Sequence, residues 1–441
     1  MELVKESVLT CVDEHDVKFI RIWFTDILGK VKSFAITKED LEDALNEGYG
    51  FDGSSIKGFQ SIEESDMVAM PDPATFQLLP WRPKDKAVAR MFCDILNPDG
   101  TPYMGDPRNA LKKMLKKTTQ QGYMFNAGPE LEYFYFKKDC TCETLDAGGY
   151  FDLTSLDAAS DLRRDTILAL ESMGIKVEMS HHEVAPSQHE IDLRYKEGLE
   201  MADAATTMRI VVKEIASKYG VYATFLPKPI QGENGSGMHT HMSLFKGDHN
   251  AFFDANDPLC LSPIARSYIA GLLKYVPEFC VVTNQLVNSY KRLVPGYEAP
   301  TYLTWSRRNR SAMIRVPMYK PGKEKATRCE LRMPDPACNL YLAFTVMLGA
   351  GLKGIEEGLE APPPVEKNIF KLSDEEKKVH GITALPGSLG EAISLAEGSE
   401  FLKEALGEHL YIHLLEAKKK EWGSYLLSVT PWELENYLPF Y

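Results

Sequence analysis

The chain has 441 residues, of which 44% are hydrophobic and 26% charged, so it is long enough for two or three globular domains. Its net charge of −13 argues against nucleic acid as the main partner, because nucleic-acid-binding proteins normally present a basic surface. The longest nearly apolar stretch, residues 340–352, is shorter than the ~20 residues that span a bilayer, and no signal-peptide pattern precedes it. We therefore expect a cytoplasmic protein with neither a nucleic-acid nor a membrane partner.

The first hundred residues are predicted to be mainly strand. Residues 17–24 are apolar and β-branched, and a turn at 26–30 separates them from a second apolar run at 31–36, which predicts a hairpin. An Asn-Pro-Asp-Gly sequence at 97–100 marks a boundary. The Asp-Pro pair at 106–107 then predicts a helix start, because Asp caps helices and Pro is favoured at their first position.

Strands and helices alternate after this boundary. The predicted strands are 131–136, 190–193 and 238–245, and the predicted helices are 158–173 and 199–219. From Pro336 onward the chain is predicted to be mostly helical, with a break at the Ala-Pro-Pro-Pro sequence of 361–364. The pattern indicates an α+β protein in which a small β-rich domain precedes a larger α+β domain.

Three strand-like segments carry polar residues at every second position. They are Glu130 with Glu132, His239 with His241 and Ser243, and Arg328 with Glu330 and Arg332. A spacing of two places side chains on one face of a strand. A solvated face is the usual explanation for one such segment. It is a weaker explanation for all three, because neighbouring carboxylates repel unless a cation compensates them.

These segments predict a site for divalent cations. Glu183 and Glu190 add two further carboxylates. The candidate ligands are then one histidine and Glu130, Glu132, Glu183, Glu190 and Glu330. Oxygen-rich sets suit Mg²⁺ or Mn²⁺ better than structural zinc. A single Mg²⁺ usually takes only one or two carboxylates, so the set predicts two or more ions.

A cluster of arginines predicts phosphate binding. Arg307, Arg308, Arg310 and Arg315 fall within nine positions of an acidic chain. Guanidinium groups match the geometry of phosphate, although a subunit contact is an alternative. The glycine-rich stretch 231–237 is neither a P-loop nor a Rossmann fingerprint, but its glycines permit close approach of the backbone to a ligand.

Seven motifs together resemble type I glutamine synthetase, in the order found in that family. They are Phe-Asp-Gly-Ser-Ser from Phe51, Gly-Pro-Glu-Leu-Glu from Gly128, His-His-Glu-Val-Ala from His181, Asn-Gly-Ser-Gly-Met-His from Asn234, Asn-Ser-Tyr-Lys-Arg from Asn288, Pro-Gly-Tyr-Glu-Ala-Pro from Pro295 and Arg-x-Glu-x-Arg from Arg328. Each motif is weak alone, but the ordered set is specific and the match covers essentially the whole chain.

The resemblance implies a fold and an assembly. A β-grasp-like domain over residues 1–103 would lie beside a catalytic domain over 104–441, which has a curved antiparallel sheet and helices. Twelve chains would form two stacked hexameric rings, with each active site between neighbouring subunits. The implied reaction joins ammonium to L-glutamate through a γ-glutamyl phosphate, with ATP as co-substrate and two or more Mg²⁺ or Mn²⁺ ions.

The resemblance also implies residue roles. The implied metal ligands are Glu132, Glu183 and Glu190 for one ion and Glu130, His239 and Glu330 for the other. The implied ATP contacts are Glu178, His241, Ser243, Arg310, Arg315, Lys325 and Arg328. The implied glutamate contacts are Asn234, Gly235, Arg292, Glu298 and Arg332. The implied catalytic residues are Arg310, the flap residue Glu298, and Asp52, which the neighbouring subunit supplies to deprotonate ammonium.

Two positions depart from the family pattern. Phe370 occupies the position of a tyrosine that is adenylylated in some members, so we expect no adenylylation there. Ser61 occupies the position of an arginine found in members that glutamine inhibits, so we expect weak glutamine inhibition.

The sequence leaves two alternative functions. One is a ligase of the same superfamily that joins glutamate to a larger amine such as a polyamine, and Asp52 argues against it. The other is a catalytically silent assembly, against which the complete set of metal and flap residues argues.

Overall fold

Two β-sheets organise the chain. The computed structural model describes residues 2–56, 58, 66–138, 141–153, 156–309, 311–367, 369–379 and 381–441. Within these ranges one sheet has six strands and the other has ten. No helix in the same ranges has the length and apolar character needed to cross a membrane.

The first sheet lies in the first hundred residues and packs on two helices. In chain order the elements are α1 (Glu2–Glu14), β1 (Val17–Thr25), β2 (Val31–Thr37), α2 (Leu41–Glu47), β3 (Tyr49–Asp52), β4 (Asp66–Pro71), β5 (Gln77–Leu78) and β6 (Ala87–Leu96). The strand order is β2-β1-β6-β4-β3, with β5 beside β6, and only the β1–β6 pair is parallel among these described strands. Its core contains Ile20 and Met91 from the sheet, Val12 from α1 and Leu41 from α2.

The predicted hairpin is confirmed, whereas the prediction of mainly strand missed α1. β1 and β2 pair antiparallel, and the Asp26 carboxylate closes their turn by accepting hydrogen bonds from the N–H groups of Leu28 and Lys30 at 3.0 and 2.9 Å. In α1 only Val8 and Val12 are buried. An apolar stripe this narrow gives little helical periodicity in the sequence.

The rest of the chain builds the second sheet and most of the helices. The first elements are α3 (Pro107–Gln120), β7 (Met124–Phe136), α4 (Ser160–Ser172), β8 (Val177–His182), β9 (Gln188–Leu193), β10 (Lys196–Glu197), α5 (Gly198–Lys218), β11 (Tyr222–Thr224), β12 (Met238–Lys246) and β13 (His249–Asn250). They are followed by α6 (Pro263–Thr283), α7 (Ser289–Arg292), β14 (Tyr302–Ser306), β15 (Ala312–Arg315), β16 (Cys329–Leu331), α8 (Leu340–Glu356), α9 (Asp374–Val379), α10 (Leu389–Ala396), α11 (Glu400–Leu406), α12 (Glu408–Leu426) and α13 (Pro431–Tyr437).

The second sheet has the order β14-β15-β16-β12-β7-β9-β8, with short β10 and β11 beside β7 and β13 beside β12. Its pairs are antiparallel except β14–β15, which is parallel, so the expected antiparallel sheet is mixed at this edge. β7 starts at Met124, earlier than the predicted strand at 131, and therefore includes Glu130. The predicted helix start is confirmed, because Asp106 caps α3 and Pro107 follows it.

Helices α6 and α8 cross at unusually close range. Their contact uses Gly271 and Gly354, because a Cβ on either would lie 2.2 Å from a carbonyl oxygen of the other helix, that of Ala350 or of Ser267. Both helices contribute to the large apolar core that also contains the inner face of β7. The second sheet therefore rests on a tightly packed helical layer.

A buried arginine joins the two sheet regions. The guanidinium of Arg108 on α3 is 3% exposed and contacts Asp72 at 2.8 Å, Asp94 at 2.7 Å and Asp203 at 2.9 Å. Asp94 lies on β6 and Asp203 on α5, so this one side chain connects both parts of the chain.

Replacing this guanidinium should destabilise the protein strongly. Arg108→Met leaves three carboxylates without their shared cation, and we expect a loss of about 3–5 kcal/mol in the free energy of unfolding. The matched control is Lys112→Met, because the ammonium of Lys112 also contacts Asp94 but is 40% exposed, and should cost about 0–1 kcal/mol. Urea denaturation at fixed protein concentration measures both values. Equal losses would contradict the assigned role of Arg108.

Candidate active site

Neighbouring antiparallel strands bring the alternating polar residues together on one face. Glu130 on β7 lies opposite His239 on β12 and Asp192 on β9, and Glu132 lies opposite Glu190. Residues directly opposite each other in an antiparallel pair project from the same face, with Cβ atoms about 4.5–5.5 Å apart. The predicted alternation therefore produces one cluster and not three separate solvated faces.

This cluster lines a polar cavity of about 220 Å³. The predicted site residues that line it are Glu130, Glu132, Glu183, Glu190, Asn234, Gly235, His239, Arg292, Glu298, Arg315 and Arg332. They include all five predicted glutamate contacts, five of the six predicted metal ligands and, from the ATP set, Arg315; the sixth metal ligand, Glu330, is fully buried and does not line the cavity.

One group of possible ligands, here called the first ligand group, consists of Glu130, His239 and Glu330. The Nδ1 atom of His239 lies 3.1 Å from Glu130 Oε2 and 4.0 Å from Glu330 Oε1. Arg315 donates to Glu330 Oε2 at 2.8 Å, and Arg332 forms an ion pair with Oε1 of the same carboxylate.

Hydrogen bonds and neighbouring charges keep the carboxylates of the first ligand group ionised. Burial disfavours the charged form of Glu130, but hydrogen bonds from His239 and His241 outweigh this effect and lower its pKa. Burial also disfavours the Glu330 carboxylate, and there the charge of Arg332, together with His241 and His239, outweighs burial and lowers the pKa. Burial and Arg332 lower the pKa of His239 to about 4, so its ring is neutral at pH 7 and able to bind a metal.

A second ligand group consists of His181, Glu183 and Glu190. His181 Nδ1 lies 3.5 Å from Glu183 Oε1, and its Nε2 lies 3.4 Å from Glu190 Oε1. The sequence predicted Glu132 as the third member. Its Oε2 accepts hydrogen bonds from Gln188 Nε2 at 3.0 Å and from the N–H of Gly237 at 2.9 Å.

The carboxylates near the second ligand group are held in an unfavourable environment for negative charge. Burial raises the pKa of Glu132 to about 7. Burial and the charge of Glu132 raise the pKa of Glu183 to about 8, and they also raise the pKa of Glu190. A divalent cation would remove this penalty, so the donor set fits Mg²⁺ or Mn²⁺.

The glycine-rich stretch supplies backbone close to these side chains. A Cβ on Gly237 would lie 2.4 Å from Arg292 Nη2 and 3.1 Å from His239 Nε2, so only glycine fits without displacement. The Arg292 guanidinium donates to the carbonyl oxygens of Arg332, Met333 and Pro334. Arg292 thus fixes the chain that follows β16.

The predicted ATP residues extend away from the first ligand group. Arg328 Nε donates to His241 Nδ1 at 3.0 Å, so the other ring nitrogen carries the hydrogen and donates to Glu130 Oε1 at 2.6 Å. Ser243 lies two positions farther along β12, and Glu178 and Lys325 are exposed. Arg310 lies outside the described residues.

Two predicted catalytic residues are on exposed segments. Glu298 lines the cavity and has a φ of +53°, which is uncommon for a residue other than glycine. Asp52, at the end of β3, is not among the residues that line this cavity, and its carboxylate accepts from the N–H of Ser54 at 2.8 Å. Phe370 lies beside the ring of Tyr302, and Ser61 is outside the described residues.

Several cavity residues were not predicted from the sequence. They are Tyr150, Met179, His181, Gln188, Asp192, Tyr297 and Ala299. A signal existed for Asp192, which follows Glu190 at a spacing of two, and for His181, which begins a recognised motif. Tyr150 comes from a loop far from the other residues in sequence and carried no such signal.

Comparison with protein-family models gives two matches. The glutamine synthetase catalytic domain matches residues 104–437, and the glutamine synthetase beta-Grasp domain matches residues 16–98. The chain belongs to the glutamine synthetase family. Similar curated proteins include glutamine synthetases of Methanosarcina mazei, with 55% identity over 98% of this chain and 97% of that protein, and of Thermotoga maritima, with 49% identity over 98% and 99%.

Solved structures of similar proteins have the same fold. The ADP complex of GmaS has a TM-score of 0.89 and 30% identity, and covers 98% of this chain and 99% of that chain. The glutamine synthetase of Plasmodium falciparum has a TM-score of 0.88 and 26% identity, with 98% of each chain covered. Family and relatives together show a glutamate–ammonia ligase that forms glutamine with ATP and a divalent metal.

Metal should stabilise this glutamine synthetase family member most at alkaline pH. The unfolded chain releases glutamate protons near the ordinary value of 4.5, whereas Glu132 and Glu183 hold theirs to about pH 7 and 8. Metal-free protein should therefore lose stability as the pH rises from about 4.5 to about 8. Thermal melting in EDTA and in MnCl₂ should show a larger metal-induced rise in Tm at about pH 8 than at about pH 6.

The control for this measurement is Glu183→Gln, which cannot ionise. Its metal-free Tm should fall less steeply with pH than that of the wild type. Identical slopes in the two proteins would contradict the raised pKa of Glu183.

Proposed function

We propose that the cavity binds at least two divalent ions, Mg²⁺ or Mn²⁺. The first ion would be held by Glu130, His239 and Glu330, and the second by Glu132, Glu183 and Glu190. The convergence of five of these six ligands on one cavity, where three of the carboxylates have raised pKa values, is the observation that supports this proposal most strongly. His181, the remaining member of the second ligand group, is close enough to Glu183 and Glu190 to act as an additional donor.

The proposed reaction begins with transfer of the γ-phosphoryl group of ATP to the side-chain carboxylate of glutamate. Bound divalent ions neutralise phosphate charge in such transfers. Arg315 and Arg332 already direct guanidinium groups at Glu330, and we infer that Arg315, with Arg310, binds phosphate while Arg332 binds glutamate. The ADP in the GmaS complex, which has the same fold, supports a nucleotide site in this chain.

The second half of the proposed reaction is attack of ammonia on γ-glutamyl phosphate. Ammonium is not a nucleophile until it loses a proton, so a carboxylate must take that proton, and we assign this role to Asp52. Glu298 would close the cavity and exclude water, which otherwise hydrolyses the acyl phosphate. The exposure of both residues is compatible with roles that depend on closure or on a second chain.

We also propose that active sites form between subunits of a dodecamer of two hexameric rings. The position of Asp52 outside the cavity lining of its own chain supports a shared site. A boundary between residues 103 and 104 and a cytoplasmic location remain predictions from the sequence. A polyamine ligase and a silent assembly are less favoured, because the similar curated proteins are glutamine synthetases.

A substitution in the first ligand group tests the proposed metal role. Glu330→Gln keeps the size of the side chain but removes the charge that Arg315 and Arg332 neutralise. We expect glutamate-dependent phosphate release from ATP to fall by at least about 10²-fold, because the proposed first ion, which would neutralise phosphate charge, loses a ligand. The control is Glu39→Gln, an exposed residue on the N-terminal surface, which should have normal activity. Normal activity of Glu330→Gln would contradict the assignment of Glu330 as a metal ligand.

The role of Asp52 is tested by changing the amine. Asp52→Asn should lose ammonium-dependent glutamine formation but retain more activity with hydroxylamine, which is mostly unprotonated at neutral pH. Equal losses with both amines would contradict a role in proton removal.

A mixture of two inactive variants tests the shared site. When Asp52→Asn and Glu330→Gln chains are unfolded and reassembled together, some interfaces combine an intact Asp52 with an intact Glu330, and activity should return. Each variant reassembled alone is the control. No recovery in mixed particles that sediment like the wild type would contradict an active site between subunits.

A further inference from the structure

Asp146 joins three segments next to the second ligand group. It lies in the loop after β7, and its carboxylate is buried. Oδ1 accepts from His182 Nε2 at 3.0 Å and from the N–H of Ser187 at 2.8 Å, both on or at hairpin β8–β9. Oδ2 accepts from the N–H of Ala158, just before α4, at 3.2 Å.

The contact between Asp146 and Ser187 is reciprocal. Ser187 Oγ accepts hydrogen bonds from the N–H groups of Leu145 and Asp146 at 2.6 and 3.0 Å. Ser187 is fully buried and has a φ of +61°, a conformation that the surrounding contacts must maintain. The turn of the hairpin is therefore fixed by the loop as well as by its own strands.

His182 extends this connection to a proposed metal ligand. Its Nδ1 contacts the carbonyl oxygen of Glu183 at 2.7 Å while Nε2 contacts Asp146. Gly148 allows the loop to approach the ring, because a Cβ there would lie 2.8 Å from His182 Nε2. The same loop continues to Tyr150, which lines the cavity.

A bound metal ion is an alternative explanation for the cluster around Asp146. Asp146, His182 and His189 have ligand atoms within 4.8 Å of one another. The neighbouring Arg163 argues against it. Arginine only donates, so its Nη1 atom, 2.9 Å from His189 Nδ1, requires that nitrogen to accept. The proton then resides on His189 Nε2, so neither ring nitrogen has a free lone pair for a metal, and Arg163 adds positive charge beside the group.

We propose that Asp146 is a positioning residue that holds hairpin β8–β9, and with it Glu183 and Glu190, against the loop that carries Tyr150. Glu183 follows β8 directly and Glu190 lies on β9, so a displacement of this hairpin moves both carboxylates together. The inference rests on the proposed metal role of these two residues. Groups that orient metal ligands commonly affect metal affinity about 10–100-fold.

The test compares Asp146→Asn with a matched control in the same loop, Asp152→Asn. The carboxylate of Asp152 accepts from Gly149, within the loop itself, at 2.8 Å. Glutamine formation is measured in the assembled enzyme over a range of Mn²⁺ concentrations, and Mn²⁺ binding is measured by calorimetry. For Asp146→Asn we expect the half-saturating Mn²⁺ concentration to rise roughly 10-fold or more, with kcat recovering at saturating metal, and for Asp152→Asn no shift.

A double-mutant cycle with Ser187→Ala adds a second criterion. Because Asp146 and Ser187 hold the same turn, the metal shift of the double variant should be smaller than the product of the single shifts. A reduced kcat at every metal concentration without a shift in Mn²⁺ dependence would overturn the proposal. So would an additional tightly bound metal ion in the wild type that Asp146→Asn lacks.

Glu190→Gln separates this inference from the proposed function. If Glu190 is a ligand, this variant should stay impaired even at saturating Mn²⁺, unlike Asp146→Asn. Normal Mn²⁺ dependence of Glu190→Gln would refute the ligand assignment itself. An impaired Glu190→Gln with an unshifted Asp146→Asn would refute only the role of Asp146.

Discussion

The concentration of carboxylates on one face of the second sheet is the constraint on which the rest of the site depends. Two unit charges about 5 Å apart repel by about 3 kcal/mol at an effective dielectric constant of about 20. The first ligand group contains part of the compensation, because Arg315 and Arg332 contact Glu330. Within the described ranges, neither Glu183 nor Glu190 forms an ion pair with lysine or arginine. The second ligand group therefore depends more heavily on a bound cation.

The fold supplies the rigidity that this arrangement requires. Carboxylates that repel one another would separate on mobile loops, whereas here Glu130, Glu132 and Glu190 lie on paired strands. The sheet in turn packs against helices whose backbones touch at Gly271 and Gly354. Residues proposed to act after substrate binding, such as Glu298, lie instead on exposed segments. Rigid strands for charge clustering and loops for closure are what the proposed chemistry needs.

The sequence predicted this site to the extent that the relevant information was local. A spacing of two identified Glu130, Glu132 and His239, because strand geometry alone places them on one face. Sequence spacing does not reveal which strands pair, or in what register, so the contact of Glu132 with Gln188 was not predicted. The parallel β14–β15 edge and helix α1 were missed for related reasons. One depends on long-range pairing, and the other buries only two valines.

In the proposed assembly, the position of Asp52 links the electrostatics of one chain to its contact with the next. A general base acts within about 2.6–3.2 Å of the proton that it removes, or through one water. Asp52 accepts from Ser54 on its own loop and is absent from the residues that line the cavity of its chain. If Asp52 deprotonates ammonium in the proposed assembly, the cavity that provides the metal ligands and the loop that provides the base belong to neighbouring chains. Assembly would then be a condition for the second half of the reaction and not only a source of stability.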